Sequence, residues 1–186
     1  MKIAPSKYLG IDPASDGAAI LLDGSGAVSL SIVWKKVRRK KGSYFSLRMY
    51  KDGKIILYNA KRFSDIGKYI SSLPEVDETV ILACEDSYYR PNPKTTIIIA
   101  RLSGLIISPI EIKIDGDCRW VKAAEWRHKV LRLSPFTRRD QAKSASIKMV
   151  PSLVKGLSNT LHALGRLDHL TDAAGVAYWA YQSQDK

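Results

Sequence analysis

The chain has 186 residues, 45% of them hydrophobic, and carries 30 Lys and Arg against 18 Asp and Glu, for a net charge of +12. That length suits one domain over residues 1–186 with a proper core, and the cation excess points to a polyanion, nucleic acid ahead of an anionic membrane surface. A membrane span is excluded because no apolar run approaches roughly 18 residues; Cys84 and Cys118 lack zinc-ligand spacing, and no long apolar core marks a signal peptide near the N-terminus.

The first organised stretch is Tyr8-Leu9-Gly10-Ile11-Asp12-Pro13. Tyr8, Leu9 and Ile11 suit a buried strand that Pro13 stops. A carboxylate at the end of such a strand is costly to desolvate unless it is paired or holds a metal. Asp12 either does that or caps the turn into Pro13-Ala14-Ser15-Asp16-Gly17. Ala18–Leu22 and Val28–Trp34 continue as strands around the turn Asp23-Gly24-Ser25-Gly26, which makes a three-stranded antiparallel meander. Lys35, Lys36, Arg38, Arg39, Lys40 and Lys41 then place six cations in seven residues. They form a solvated loop or a phosphate-binding arm, and Tyr44, Phe45 and Tyr50 behind them offer base stacking. Asp52-Gly53 between Ser46–Tyr50 and Ile55–Tyr58 is a hairpin signal, so a basic β-hairpin is expected to extend from the sheet.

Asn59 to Leu73 has helical spacing at Phe63, Ile66, Tyr69, Ile70 and Leu73. Thr79–Cys84 reads as a strand buried on both faces, with Cys84 a buried thiol, and it ends in Glu85-Asp86. Glu85 is either a solvated strand end or a second strand-terminal ligand. Ser87 to Pro93 is a loop with exposed aromatics, and a helix from about Lys94 passes Ile106 toward Pro109, which kinks or ends it. Glu111–Ile114 fits helix or strand. Arg119–Ala123 is the last strand, and Glu125–Leu133 and Arg139–Val154 are helices. Asp168 caps a final Ala-rich helix through Tyr181. His169 and Asp172, three apart, share a face of it.

The order of elements resembles the ribonuclease H-like fold, an α/β fold with a five-stranded mixed sheet flanked by helices, here with an added basic β-hairpin. The resemblance implies that Asp12 and Glu85 are neighbours at the sheet centre and that the last helix brings Asp172 and His169 against them. Such oxygen-rich ligand sets suit Mg²⁺ or Mn²⁺. Two ions roughly 3.5–4 Å apart can activate a water and stabilise the leaving oxygen in phosphodiester hydrolysis.

The motifs are similar to those of the RuvC family of Holliday junction resolvases. Gly10-Ile11-Asp12-Pro13 matches the family's opening Gly-Ile-Asp-Pro-Gly, with Ala14 departing from it. Glu85 matches its second acidic residue, and Tyr88 the aromatic that stacks on bases near the crossover. Asn92 and Ala100-Arg101-Leu102-Ser103-Gly104 match the loop and helix that follow. Lys143, on a helix ending in Met149-Val150, matches a catalytic-site lysine. Arg127, His128 and Lys129 compete for a second basic role. His169-Leu170-Thr171-Asp172-Ala173-Ala174 matches the final acidic helix, with His169 at its first ligand position.

The resemblance implies a homodimeric endonuclease that nicks opposed strands of a four-way junction symmetrically and leaves ligatable ends. Asp12, Glu85, His169 and Asp172 would hold two Mg²⁺ or Mn²⁺ ions, with Lys143 neutralising developing phosphate charge. DNA contacts would come from Lys35, Lys36, Arg38, Arg39, Lys40, Lys41, Tyr88, Arg90, Arg127 and Lys129, with no membrane or nucleotide cofactor involved. The two separate cysteines fit a reducing compartment, the cytoplasm or the interior of an infected host. The alternatives are another ribonuclease H-like nuclease on RNA or branched DNA, and a non-catalytic basic DNA-binding module. An actin-like ATP-binding protein also opens on Gly-Ile-Asp, but the chain is short for its two domains.

Overall fold

A computed structural model describes residues 7–40, 42–86, 93–165 and 167–183. Lys41, Tyr88 and Arg90, all expected DNA contacts, lie outside the described residues, as does Asn92. The strands are β1 (Lys7–Asp12), β2 (Gly17–Asp23), β3 (Val28–Arg39), β4 (Gly42–Lys51), β5 (Lys54–Ala60), β6 (Val80–Glu85) and β7 (Arg119–Val121). The helices are α1 (Phe63–Ser71), α2 (Pro93–Ile114), α3 (Ala123–Leu131), α4 (Arg139–Leu153), α5 (Leu157–Leu164) and α6 (Leu167–Gln182).

The strands form a single sheet in the order β5-β4-β3-β2-β1-β6-β7. β1 to β5 pair as an antiparallel meander, and β6 and β7 add parallel to β1. The sheet therefore has seven strands rather than the expected five. The hairpin is continuous with the sheet: β4 pairs with β3 from Ser31↔Tyr50 to Arg39↔Gly42 and β5 pairs with β4, while Lys35 to Arg39 extend beyond β2, paired only to β4. The basic run is correspondingly not a loop, because Lys35 to Arg39 is the second half of β3. Asp52 and Gly53 turn β4 into β5, both with positive φ (50° and 74°), the backbone a two-residue primed turn needs.

Period-two alternation sorts the strand residues onto two cores. On one face Leu9, Ile11, Leu21, Trp34, Leu47, Leu82 and Cys84 pack against Phe63, Ile66 and Ile70 of α1 and Ile106, Ile107 and Ile110 of α2. On the other, Tyr8, Ala18, Ile20, Val33 and Ala83 pack against α3 to α6 through Trp126, Val130, Val150, Leu161, Leu170, Ala173 and Ala177. Burial of Cys84 fits its expected place within a strand.

Several boundaries move for local reasons. Asn59 and Ala60 end β5, so α1 begins at Phe63 rather than Asn59. The final strand stops at Val121, since Ala123 already opens α3. Helix α2 runs through Pro109 to Ile114. An interior proline removes one backbone hydrogen bond, but Ile106, Ile107, Ile110 and Ile114 are all buried and hold the helix to the sheet. Helix α5 was not expected. Gly156 (φ 84°) and Gly165 (φ 63°) bracket it, and Leu157, Leu161 and Leu164 bury its apolar stripe. No helix among the described residues is long and apolar enough to cross a membrane.

β1 and α6 approach each other backbone to backbone at Gly10. A Cβ on Gly10 would lie 2.2 Å from the Ala173 carbonyl oxygen and 2.4 Å from the Ala177 nitrogen, both backbone atoms. No side-chain rotation relieves such a clash, so Gly10→Ala is expected to cost roughly 3 kcal/mol of unfolding free energy by overpacking. Gly104 lies in α2 with no atom within 4 Å of its Cβ position. Gly104→Ala should instead stabilise by about 0.5–1 kcal/mol. Urea titrations of the two variants beside wild type check both signs.

Candidate active site

The site is built where two parallel strands end. β1 and β6 pair in register through Ile11↔Cys84, so the next residues, Asp12 and Glu85, finish adjacent strands side by side. Gly10 lets the backbone of α6 lie directly on β1, and that contact hangs the first turns of α6 over Asp12. His169 Nδ1 donates to Asp12 Oδ2 at 2.6 Å. Asp172, one turn on, accepts from Arg127 of α3 at 2.8 Å. Arg127 also donates through Nε to Ser146 Oγ of α4 at 3.1 Å. Next to Arg127, Trp126 donates its indole N–H to Glu85 Oε2 at 3.0 Å. Gly175 makes room for that indole, since a Cβ there would sit 2.3 Å from the ring.

The electrostatics follow from crowding acids in a partly buried cleft. Glu85 is pushed up to about 8, first by burial and then by the charges of Asp172 and Asp12. Asp172 is also raised, by burial above all and by Asp12, against the pull of Arg127. The cluster therefore repels itself, and a cation would relieve that repulsion.

Asp12, Glu85, His169 and Asp172 are thus brought to one edge of the sheet. Lys143 lies at the rim, half-exposed, and donates to Asp168 Oδ2 at 3.0 Å. Asp168 is not the helix cap, because α6 begins at Leu167; its carboxylate lies in the first turn, paired with Lys143. Of the three competing basic residues, Arg127 alone pairs with the cluster. His128 Nδ1 lies 2.8 Å from the Leu133 carbonyl oxygen, and Lys129 donates to Ser183 Oγ and lies over the Trp179 ring. Lys35, Lys36, Arg38, Arg39 and Lys40 lie on the β3–β4 hairpin, outside the cluster.

Two features of the arrangement escape sequence reading. Trp126 is an apolar core residue by composition, and its N–H reaches Glu85 only because α3 packs on the end of β6. Ser146 sits three residues after Lys143, a spacing that placed it on the same helix face without marking it as a partner for Arg127.

The donor set fits a hard divalent cation: three carboxylates and an imidazole, with the acids repelling one another. Among the described residues, however, no three His, Cys, Asp or Glu side chains stand converged as a ready cage. Each acid is engaged elsewhere, Asp12 with His169, Asp172 with Arg127 and Glu85 with Trp126.

No family model matches the sequence, and no curated protein does. Among solved structures, Thermus thermophilus RuvC in complex with a Holliday junction substrate superposes with a TM-score of 0.50 at 12% identity, over 97% of this chain and 96% of its own. The fold is RuvC-like. A second structure of Thermus thermophilus RuvC matches at 14% identity and a TM-score of 0.44, over 96% of each chain. The RuvC-like fold is an α/β fold with a mixed sheet, of the ribonuclease H-like class.

The raised Glu85 carries a pH signature. The folded chain holds that proton to about pH 8, whereas an unperturbed Glu releases it near 4.5. Between those values the folded state binds the extra proton, so this group's contribution to stability falls as pH rises and is gone above the folded value. Glu85→Gln, which keeps an acceptor for Trp126 and does not titrate, should gain on wild type as pH rises from 5 to 8.5. Thermal melts in EDTA across that range check it; a gap that stays constant would mean that Glu85 is ionised throughout.

Proposed function

We propose that this protein is a metal-dependent endonuclease that resolves four-way DNA junctions by paired symmetric nicks. The observation that carries the reading is the pair of strand-terminal acids, Asp12 and Glu85, beneath His169 and Asp172 in a RuvC-like fold. The net charge of +12 and the neighbour's junction-bound state support DNA as the partner.

Asp12, Glu85, His169 and Asp172 would hold two Mg²⁺ or Mn²⁺ ions. Such ions supply an activated water and charge stabilisation at the leaving oxygen. The rest falls to the chain's own residues. Arg127, braced by Ser146, sets the orientation of Asp172. Trp126 fixes one Glu85 oxygen and leaves the other available. His169 holds Asp12 from above. Lys143 neutralises charge on the phosphate from the rim, in exchange for its Asp168 partner. Lys35 and Arg39 of the basic hairpin, Lys129, Tyr88 and Arg90 contact DNA, Tyr88 by stacking at the crossover. A two-fold homodimer would present two such sites to opposed strands, and the whole chain would act as one domain.

The pairing of Asp12 with His169 and of Asp172 with Arg127 gives a non-catalytic DNA-binding module a specific footing as the second reading. One experiment separates the two. A synthetic immobile four-way junction and a linear duplex of the same arms are incubated with wild type in Mg²⁺, in EDTA, and with Asp12→Asn. Paired nicks in the junction only, absent in EDTA and in the variant, are the expected outcome. Tight junction binding with no cleavage in Mg²⁺ or Mn²⁺ selects the binding module. With cleavage established, Lys143→Ala should slow it by roughly 10²–10³-fold with little change in junction affinity, the loss typical of one transition-state charge contact.

A further inference from the structure

The basic hairpin has two unlike faces, and only one of them leads to the acid cluster. Asp12 pairs with Ala18, and Ala18 with Val33, so these three residues lie in one row across β1, β2 and β3. β2 begins at Gly17, opposite Trp34. Beyond that row β3 overhangs the sheet edge where the acids lie, with Lys35 to Arg39 paired only to β4. The overhang is fastened to the loop that follows Asp12: Trp34 donates its indole N–H to the Ala14 carbonyl, and the Lys36 backbone N–H donates to Asp16 Oδ1, each at 2.9 Å.

Alternation assigns the faces. Val33 packs in the core under α6, and Trp34 in the core under α1 and α2. Lys35, Val37 and Arg39 therefore share the face of Asp12 and α6, while Lys36 and Arg38 take the opposite one. On β4, Phe45 and Leu47 belong to the α1 and α2 core, so Tyr44, Ser46 and Arg48 join Lys35 and Arg39. The Arg39 guanidinium lies over the Tyr44 ring, 4.7 Å from its centroid, and donates to the Tyr44 hydroxyl at 3.4 Å. That stack holds a rotamer-rich side chain in place and leaves N–H groups for a phosphate. Arg48 is committed inward, to the Leu164 carbonyl at 2.7 Å. A hollow of 370 Å³ opens on this stretch, lined by Val33, Trp34, Lys35, Val37, Ser46 and Arg48.

At about 4.8 Å between strands and 3.3 Å per residue, Lys35 lies on the order of 12 Å from Asp12 and Arg39 on the order of 22 Å. With about 3.4 Å per nucleotide along a duplex, these reach roughly three and six base pairs from a phosphate at the acids.

We propose that Lys35, Arg39 and the Tyr44 ring form a one-sided track that holds the phosphate backbone of the duplex arm leading away from the acid cluster, and that Lys36 and Arg38 on the reverse face do not contribute to it. The proposal rests on the nuclease reading, since it takes the acids as the point where the DNA lies. It makes DNA binding depend on which face carries the charge and not on the total charge of the hairpin.

Two full-chain variants with the same charge change test it, Lys35→Ala/Arg39→Ala and Lys36→Ala/Arg38→Ala, with fluorescence anisotropy on the immobile junction and on linear duplex, in EDTA, over a salt series. The first should weaken binding about tenfold or more near 150 mM salt and flatten the log–log salt slope by about 2, one step for each phosphate no longer neutralised. The second should change affinity less than about twofold and leave the slope as in wild type. Tyr44→Leu should lose some of the affinity, and Tyr44→Phe, which keeps the stack, should retain most of it. Thermal melts control for folding, and Lys35→Gln/Arg39→Gln replaces the alanine pair if that pair is destabilised. Equal losses from both pairs, or a loss from the reverse pair alone, overturn the track. The nuclease reading fails separately, when wild type binds the junction and does not cut it. Binding by wild type to neither DNA overturns both.

Discussion

The backbone of α6 lies on β1 so closely that nothing larger than a hydrogen fits on the Cα of residue 10. That contact decides the height and angle at which the last helix crosses the first strand. Every group from α6 that reaches the acid cluster depends on it. With a side chain at position 10, α6 would have to lift, and His169 and Asp172 would leave Asp12 together. Gly175 acts in a similar way farther from the strand, where it admits the Trp126 ring that ends in the hydrogen bond to Glu85. The site is therefore held by two close approaches that come from absent side chains, as well as by its polar contacts.

Holding acids together in this cleft works against burial. An unpaired buried carboxylate is expensive, and the structure offsets that in three different ways. Asp172 takes an arginine, Asp12 takes a histidine, and Glu85 has one neutral donor and keeps its proton up to about pH 8. Breaking one partner of such a pair leaves a buried charge uncompensated, which is costlier than the pair was favourable. A divalent cation would replace these offsets with one charge shared by all the acids.

The sheet places the basic residues. Its meander does not stop at the third strand but continues through β4 and β5, and β3 overhangs the edge at which the acids lie. Cations that read as a solvated loop or a phosphate-binding arm are thereby held in a strand, where neighbours in sequence face opposite ways. Rigid placement reduces the entropy lost when long side chains are ordered on a ligand.

Much of the site was legible from the chain alone, because a carboxylate closing an apolar run is conspicuous and because His169 and Asp172 are three apart on an Ala-rich helix. Local sequence determined those positions, the element order apart from α5, and the Asp52-Gly53 turn, whose backbone demands are met within a few residues. Tertiary packing decided the rest. Residue spacing does not say whether a hairpin extends a sheet or stands off it, since that depends on register with β3, and the count of strands rose from five to seven on that account. Pro109 reads as a kink or an end and Glu111–Ile114 as helix or strand; burial of Ile106, Ile107, Ile110 and Ile114 against the sheet decides for a helix that runs through. Among Arg127, His128 and Lys129 only the rotation of α3 against α6 selects the partner of Asp172, because adjacent residues on a helix point about 100° apart and the sequence carries no signal for which of them faces inward.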